Sequence, residues 1–230
     1  MKIIELCGLP GCGKSTIADN TVEELKQSGT SVASMKVVYF AAGKGARRTF
    51  ALIKCLLNPR NYRLNIDILR LNRRYSGKLS CIKYAFQLIL FIHNIEKTVN
   101  SGKYDIALMD EGIIQYLSAQ ADAARISDEA LCRRIIGEIS RRIPDWQVVY
   151  CMLDTDETMR RIRSRSSLSK RFSPDIGDDK LMERIECRKY NLILLTSIKC
   201  DHKIGMSGSM AEGQERLQEI AGGIIGGSDA

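Results

Sequence analysis

The 230-residue chain has little histidine and few aromatic residues: it has two histidines, and aromatic residues make up only 6% of it. His93 falls in an apolar helical pattern and His202 beside a strand-like run, so neither has the clustered partners that a metal centre or an imidazole-assisted nucleophile needs. The eight cysteines (Cys7, Cys12, Cys55, Cys81, Cys132, Cys151, Cys187 and Cys200) include no C-x-x-C pair. Several lie inside apolar runs, which reads as reduced thiols in a cytoplasmic protein. No long hydrophobic run is present either. The most apolar stretch, Ala85 to Ile95, is broken by Gln87, His93 and Asn94 and falls short of the roughly 20 residues that a spanning helix requires. The N-terminus runs straight into a glycine loop without the pattern of a secretory leader, and no internal repeat or low-complexity domain appears.

Charge is abundant and uneven. Thirty-five basic and 27 acidic residues leave +8, which favours anionic partners without choosing among them. Between Lys44 and Lys83 there are eleven basic residues and one acidic residue, Asp67. That segment alone exceeds the net charge of the whole chain, so the remainder is slightly acidic.

The periodicity alternates between short apolar runs and helical spacing. Strands are expected at Ile3 to Cys7, Val32 to Phe40, Tyr104 to Met109, Gln147 to Leu153 and His202 to Met206. Helices are expected at about Lys14 to Gln27, Thr49 to Leu57, Leu79 to Asn100, Ile113 to Ala124, Asp128 to Arg142, Asp156 to Arg165, Asp178 to Ser197 and Ala211 to Ile220. This order implies an α/β fold of three layers, a parallel five-stranded sheet with helices on both faces. One domain is expected over residues 1–221, with an acceptor-binding insertion at about 43–100, a lid segment at about 156–175 and a frayed, glycine-rich tail at 222–230. Trp146 reads as a packing anchor.

The strongest motif follows the first strand. Gly8-Leu9-Pro10-Gly11-Cys12-Gly13-Lys14-Ser15 matches G-x-x-x-x-G-K-[ST] in full, between a strand pattern and a helix pattern. Glycines allow backbone N–H groups to converge on phosphate oxygens, and the positive end of the following helix adds to that field. Gly8, Gly11, Cys12, Gly13, Lys14, Ser15 and Thr16 are therefore the expected binding residues for a nucleoside triphosphate. Lys14 reaches the β and γ phosphates, Ser15 offers a hydroxyl to Mg²⁺, and Thr16 stabilises the loop.

Two further stations fit the same chemistry. Asp110-Glu111-Gly112 ends the third apolar run, where open parallel sheets hold their ligands. One carboxylate can hold Mg²⁺ and the other can take a proton from an attacking hydroxyl; Asp110 is the expected metal ligand. Arg161 and Arg165, four apart, share a helix face, and a loop leads from there to Arg171. All three suit a closing lid that neutralises charge on a transferring phosphoryl group.

With these stations located, the chain resembles P-loop kinases of the nucleoside and nucleotide kinase group, nearest in layout to the thymidylate kinase-like and deoxynucleoside kinase-like branches. The phosphate loop, the arginine-bearing lid helix and the ending through Ser207-Gly208-Ser209 carry the likeness, which extends over about residues 2 to 220. The resemblance implies an ATP·Mg²⁺ donor, an acceptor beneath the second and third strands, and a lid closing over both. It has one departure. Thymidylate kinases carry Asp-Arg after the third strand and deoxynucleoside kinases carry Glu-Arg, whereas this chain has Asp110-Glu111. Arg47 and Arg48, or arginines among Arg60, Arg63, Arg70, Arg73 and Arg74, are left to grip a small anionic acceptor.

Two rival classes stay open on the residues. The apolar strand ending in Asp110-Glu111 also suits a P-loop ATPase that uses hydrolysis as a switch or works on a polyanionic partner. Neither the Leu-Ser-Gly-Gly-Gln signature of transporter ATPases nor the Asn-Lys-x-Asp guanine reader is present. The basic segment, with Tyr62, Tyr75, Tyr84 and Phe86 among its charges, also suits nucleic acid or an anionic membrane surface. Oligomeric state is open, a homodimer being one option.

Overall fold

The computed structural model describes residues 1–41, 43, 45–76, 82–121, 124–164 and 177–226. Five parallel strands, β1 (Lys2–Gly8), β2 (Val32–Ser34), β3 (Ile106–Met109), β4 (Trp146–Met152) and β5 (His202–Gly205), form one sheet in the order β2-β3-β1-β4-β5. The central strand β1 aligns Glu5 with Met109 on one side and with Val148 on the other. Helices cover both faces, giving the three-layer α/β P-loop fold.

Strand alternation divides the core. Ile4 and Leu6 face a cluster closed by α1 (Lys14–Gln27) and α10 (Met210–Gly226), with Ile17, Val22, Leu217 and Ile220. Ile3 and Cys7 face the larger cluster. It is built from α4 (Tyr62–Ser76), α5 (Ile82–Asn100), α6 (Ile113–Gln120), α7 (Glu129–Arg142) and α9 (Asp178–Ile198). Three short elements complete the described chain: α2 (Met35–Tyr39), α3 (Ala46–Leu57) and α8 (Thr155–Arg163).

The structure departs from the sequence reading in four places. The second strand stops at Ser34, and Met35 to Tyr39 turn into α2 despite the β-branched Val37 and Val38. Packing overrides propensity there, because Val38 is fully buried and Asn94 Nδ2 donates to the Tyr39 carbonyl at 2.8 Å. Residues 62–76, not assigned in advance, form α4, which buries Leu64, Ile68 and Leu71 on one face. The sixth helix ends at Gln120 rather than Ala124. The last helix runs through Gly222 and Gly223 to Gly226 rather than fraying at 222. Ile224 and Ile225 pack on the core there, and the Lys2 ammonium donates to the Ile224 carbonyl. Residues 79–81 at the expected start of α5 and residues 227–230 lie outside the described set.

Candidate active site

The phosphate loop connects β1 to α1 and depends on glycine where the backbone turns. Gly11 and Gly13 have φ of 85° and 95°, in the left-handed region that L side chains avoid. A Cβ on Gly13 would also lie 2.9 Å from Met210 Sδ, so the loop is backed by methionines at the start of α10. The Lys14 ammonium is drawn into the arch, donating to the carbonyls of Gly8 and Leu9 at 3.0 Å each and to Cys12 Sγ at 3.4 Å. Thr16 lies exposed on the first turn of α1.

Cys12 has a second thiol against it. A hydrogen bond with Cys151, then the Lys14 charge, lowers the Cys12 pKa in spite of burial. The same hydrogen bond, together with burial, pushes Cys151 well above the usual thiol range.

The acidic turn meets this loop directly. Ser15 Oγ donates to Asp110 Oδ2 at 2.5 Å, bringing a hydroxyl from α1 and a carboxylate from the end of β3 into one oxygen pair. Two hard oxygen donors beside a phosphate loop fit Mg²⁺, which takes few protein ligands and fills its octahedron with phosphate oxygens and water. Glu111 is solvent-accessible yet densely surrounded. Desolvation first, and the Asp110 charge second, raise its pKa, against the opposing pull of Lys14 and Arg188.

A residue the sequence reading passed over fixes that turn. Glu5, fully buried on β1, accepts from the backbone N–H of Ile114 at 2.7 Å and of Gln115 at 3.3 Å, and from Trp146 Nε1 at 3.0 Å. Its carboxylate therefore satisfies the first turn of α6, where free N–H groups and the helix dipole favour negative charge. Gly112 lies flat against it, and a Cβ there would come within 2.3 Å of Glu5 Cδ. Burial nevertheless dominates over these hydrogen bonds and raises the Glu5 pKa to about 7. Gln115 carries the connection back to the phosphate loop, its Oε1 accepting from the Gly8 N–H at 3.2 Å.

A further group of residues comes from several elements. The Arg48 guanidinium stacks 4.2 Å above the Tyr39 ring, and Tyr116 sits against Phe91 with centroids 5.2 Å apart. Burial chiefly, with Tyr39 and Glu111 adding and Arg48 opposing, raises the Tyr116 pKa. Arg188 from α9 joins this group, acting on Glu111 and donating to the Gln115 carbonyl at 3.2 Å.

The remaining expected residues are more scattered. Arg161 lies beside the phosphate loop, its Cβ 3.5 Å from where a Gly11 Cβ would stand. It donates to Glu157 at 2.6 Å and to the Met206 carbonyl at 3.0 Å. Hydrogen bonds from Arg160 and Arg161 hold Glu157 down to about 2. Arg165 and Arg171 lie outside the described residues. Arg47 is exposed at the start of α3. Arg70, Arg73 and Arg74 line an outer hollow with Asp128, Leu131 and Arg134, which contains no phosphate-loop residue. There Arg74 pairs with Asp128 at 2.6 Å and Arg70 with Asp67 at 3.6 Å.

No family model and no curated protein match the sequence. Among solved structures, the YorR protein from Bacillus subtilis in complex with phosphorylated GDP aligns over 96% of each chain, with TM-score 0.51 and 13% identity. Shikimate kinase from Bacteroides thetaiotaomicron gives TM-score 0.49 and 14% identity over 96% of this chain and 98% of its own. Deoxyadenosine kinase from M. mycoides with bound dATP gives 0.48 and 13% over 96% of this chain and 100% of its own. At these identities the likeness is one of fold.

Proposed function

We propose that the chain is a small-molecule kinase that transfers the γ-phosphoryl group of ATP to a nucleoside, nucleotide or other anionic acceptor. The observation that carries this reading is the 2.5 Å contact between Ser15 Oγ and Asp110 Oδ2, which joins the phosphate loop to the acidic turn. It divides the two carboxylates. Asp110, with Ser15, would hold Mg²⁺, which would supply charge neutralisation on the triphosphate. Glu111, with its pKa raised, is left to accept a proton from the acceptor hydroxyl.

The loop N–H groups and Lys14 align the triphosphate, and Arg161, whose Cβ adjoins Gly11 while its guanidinium rests on Glu157 and the Met206 carbonyl, would leave those partners to offset charge on the transferring group. Arg165 and Arg171 are proposed to complete that lid. The acceptor lies between Glu111 and the Arg48–Tyr39 stack, with Tyr116 along one wall. Arg48 and Arg188 supply cations on the side where related kinases place an arginine after the third strand. A nucleotide acceptor, as in the thymidylate kinase-like branch, suits an aromatic wall with a nearby guanidinium, and the phosphorylated GDP bound by the YorR protein is support of the same kind.

The test is transfer from labelled ATP·Mg²⁺ across nucleosides, nucleoside monophosphates and phosphorylated sugars, with Lys14→Ala as control. A Lys14-dependent labelled product is expected. Release of inorganic phosphate that no acceptor in the panel changes would favour the hydrolytic ATPase reading instead.

A further inference from the structure

The helix α3 presents large apolar side chains to solvent. Phe50, Ile53 and Leu57 are 71%, 49% and 77% exposed, and their spacing places them along one face. With Lys54, Asn58 and Pro59 they line a hollow of about 500 Å³. The opposite face is anchored, Cys55 being buried in the core with Leu52 and Leu56 packed beside it. The exposed ridge is therefore held rigidly on the outside of the domain.

The charge around it has one sign. From Ala46 to Arg63 there are five basic residues, Arg47, Arg48, Lys54, Arg60 and Arg63, and no acidic one. The next acid in sequence, Asp67, is buried against Arg134. The carboxylate that acts on α3 from α5, Glu96, lies 3.6 Å from Arg142. Self-association through this face would bring two such cationic surrounds together, a like-charge juxtaposition that opposes pairing. Nucleic acid would gain from the charge, yet of the three ridge side chains only Phe50 offers bases a ring to stack on, Ile53 and Leu57 being aliphatic. Phenylalanine and leucine on one face with lysine and arginine beside them match the composition of helices that lie in the interface of anionic bilayers.

We propose that α3 docks the protein onto an anionic membrane surface, with Phe50, Ile53 and Leu57 entering the headgroup–acyl boundary and Lys54 and Arg47 meeting lipid phosphates. None of the described helices is long and apolar enough to cross a membrane, so the attachment is peripheral. It is independent of which acceptor the kinase uses.

Flotation of the full chain with phosphatidylcholine vesicles, and with vesicles containing about 30% phosphatidylserine, tests this at low and at physiological salt. Binding to the anionic vesicles alone is expected, weakening as salt rises. The Phe50→Gln/Leu57→Gln double variant is expected to lose on the order of tenfold or more in partitioning, from the lost apolar burial. Lys54→Gln is expected to lose less, on the order of fivefold, as one surface cation. Both positions are exposed, and unchanged circular dichroism and phosphoryl transfer confirm an intact fold. Absence of wild-type binding at low salt overturns the proposal, as does a double variant that binds as well as wild type. Sedimentation gives a third overturning result: a wild-type dimer that the double variant dissociates would assign the face to a second copy.

Discussion

Gly8 to Ser15 are contiguous in sequence and in space, whereas Tyr39, Arg48, Glu111, Tyr116 and Arg188 meet only because α2, α3, the turn after β3, α6 and α9 converge. In the proposed kinase the first region would hold its ligand mainly through backbone N–H groups and one ammonium, and its geometry is set by glycines a few residues apart. The second, as the proposed acceptor side, would act through side chains whose positions depend on packing across the larger core cluster. Damage to the first should therefore be all-or-none, and damage to the second graded. Substrate preference can change on the acceptor side while the cradle stays fixed.

The comparison is most exposed to failure at Lys14. Lys14→Ala should lower kcat by on the order of 10³-fold or more with little change in melting temperature; near-normal turnover in the purified variant would remove the cradle from the mechanism. Asp110→Asn should cost on the order of 10²-fold in kcat and keep much of the nucleotide affinity. An equal loss of nucleotide affinity and turnover would mean that Asp110 acts in binding alone. Arg48→Gln should act differently, raising the acceptor KM by about tenfold while leaving the KM for ATP unchanged. If the ATP KM moved instead, Arg48 would belong to the donor side and the two regions would not be separable.

The smallest effect concerns stability. A buried carboxyl with its pKa raised from 4.5 to about 7 binds its proton more tightly in the folded state than in the unfolded one. Between these values the unfolded state is ionised while the folded state is not, so stability falls as pH rises from about 4.5 through about 7 and levels off above. The shift corresponds to about 3 kcal/mol. Denaturant titrations at pH 5 and pH 8 should show wild type losing roughly that much more than Glu5→Gln; parallel losses in the two proteins would assign the pH dependence elsewhere.

What could be read from the sequence follows the same division. The phosphate loop, the carboxyl-terminal position of Asp110 and the strands β1, β3, β4 and β5 carry local signals: glycine spacing, a short apolar run, a polar boundary. Met35 to Tyr39 misled because Val37 and Val38 favour strands, and only burial of Val38 against α5 makes them helical. In α4 the spacing of Leu64, Ile68 and Leu71 was present but lay among arginines that drew attention to charge. Arg188 reads as one more basic residue of a long helix, since nothing nearby in sequence marks it as facing Glu111. Glu5 looked like an interruption of an apolar strand. Its role appears only when Gly112 and Trp146, far along the chain, close over it.

That closure has an optical consequence. Trp146 is the sole tryptophan of the chain and is 1% exposed, with its indole N–H on the Glu5 carboxylate. The native tryptophan emission therefore comes from a single chromophore seated where the strand of the phosphate loop meets the acidic turn. Gain or loss of the Glu5 proton changes the field at that indole, so emission followed against pH reads the junction directly, without a label.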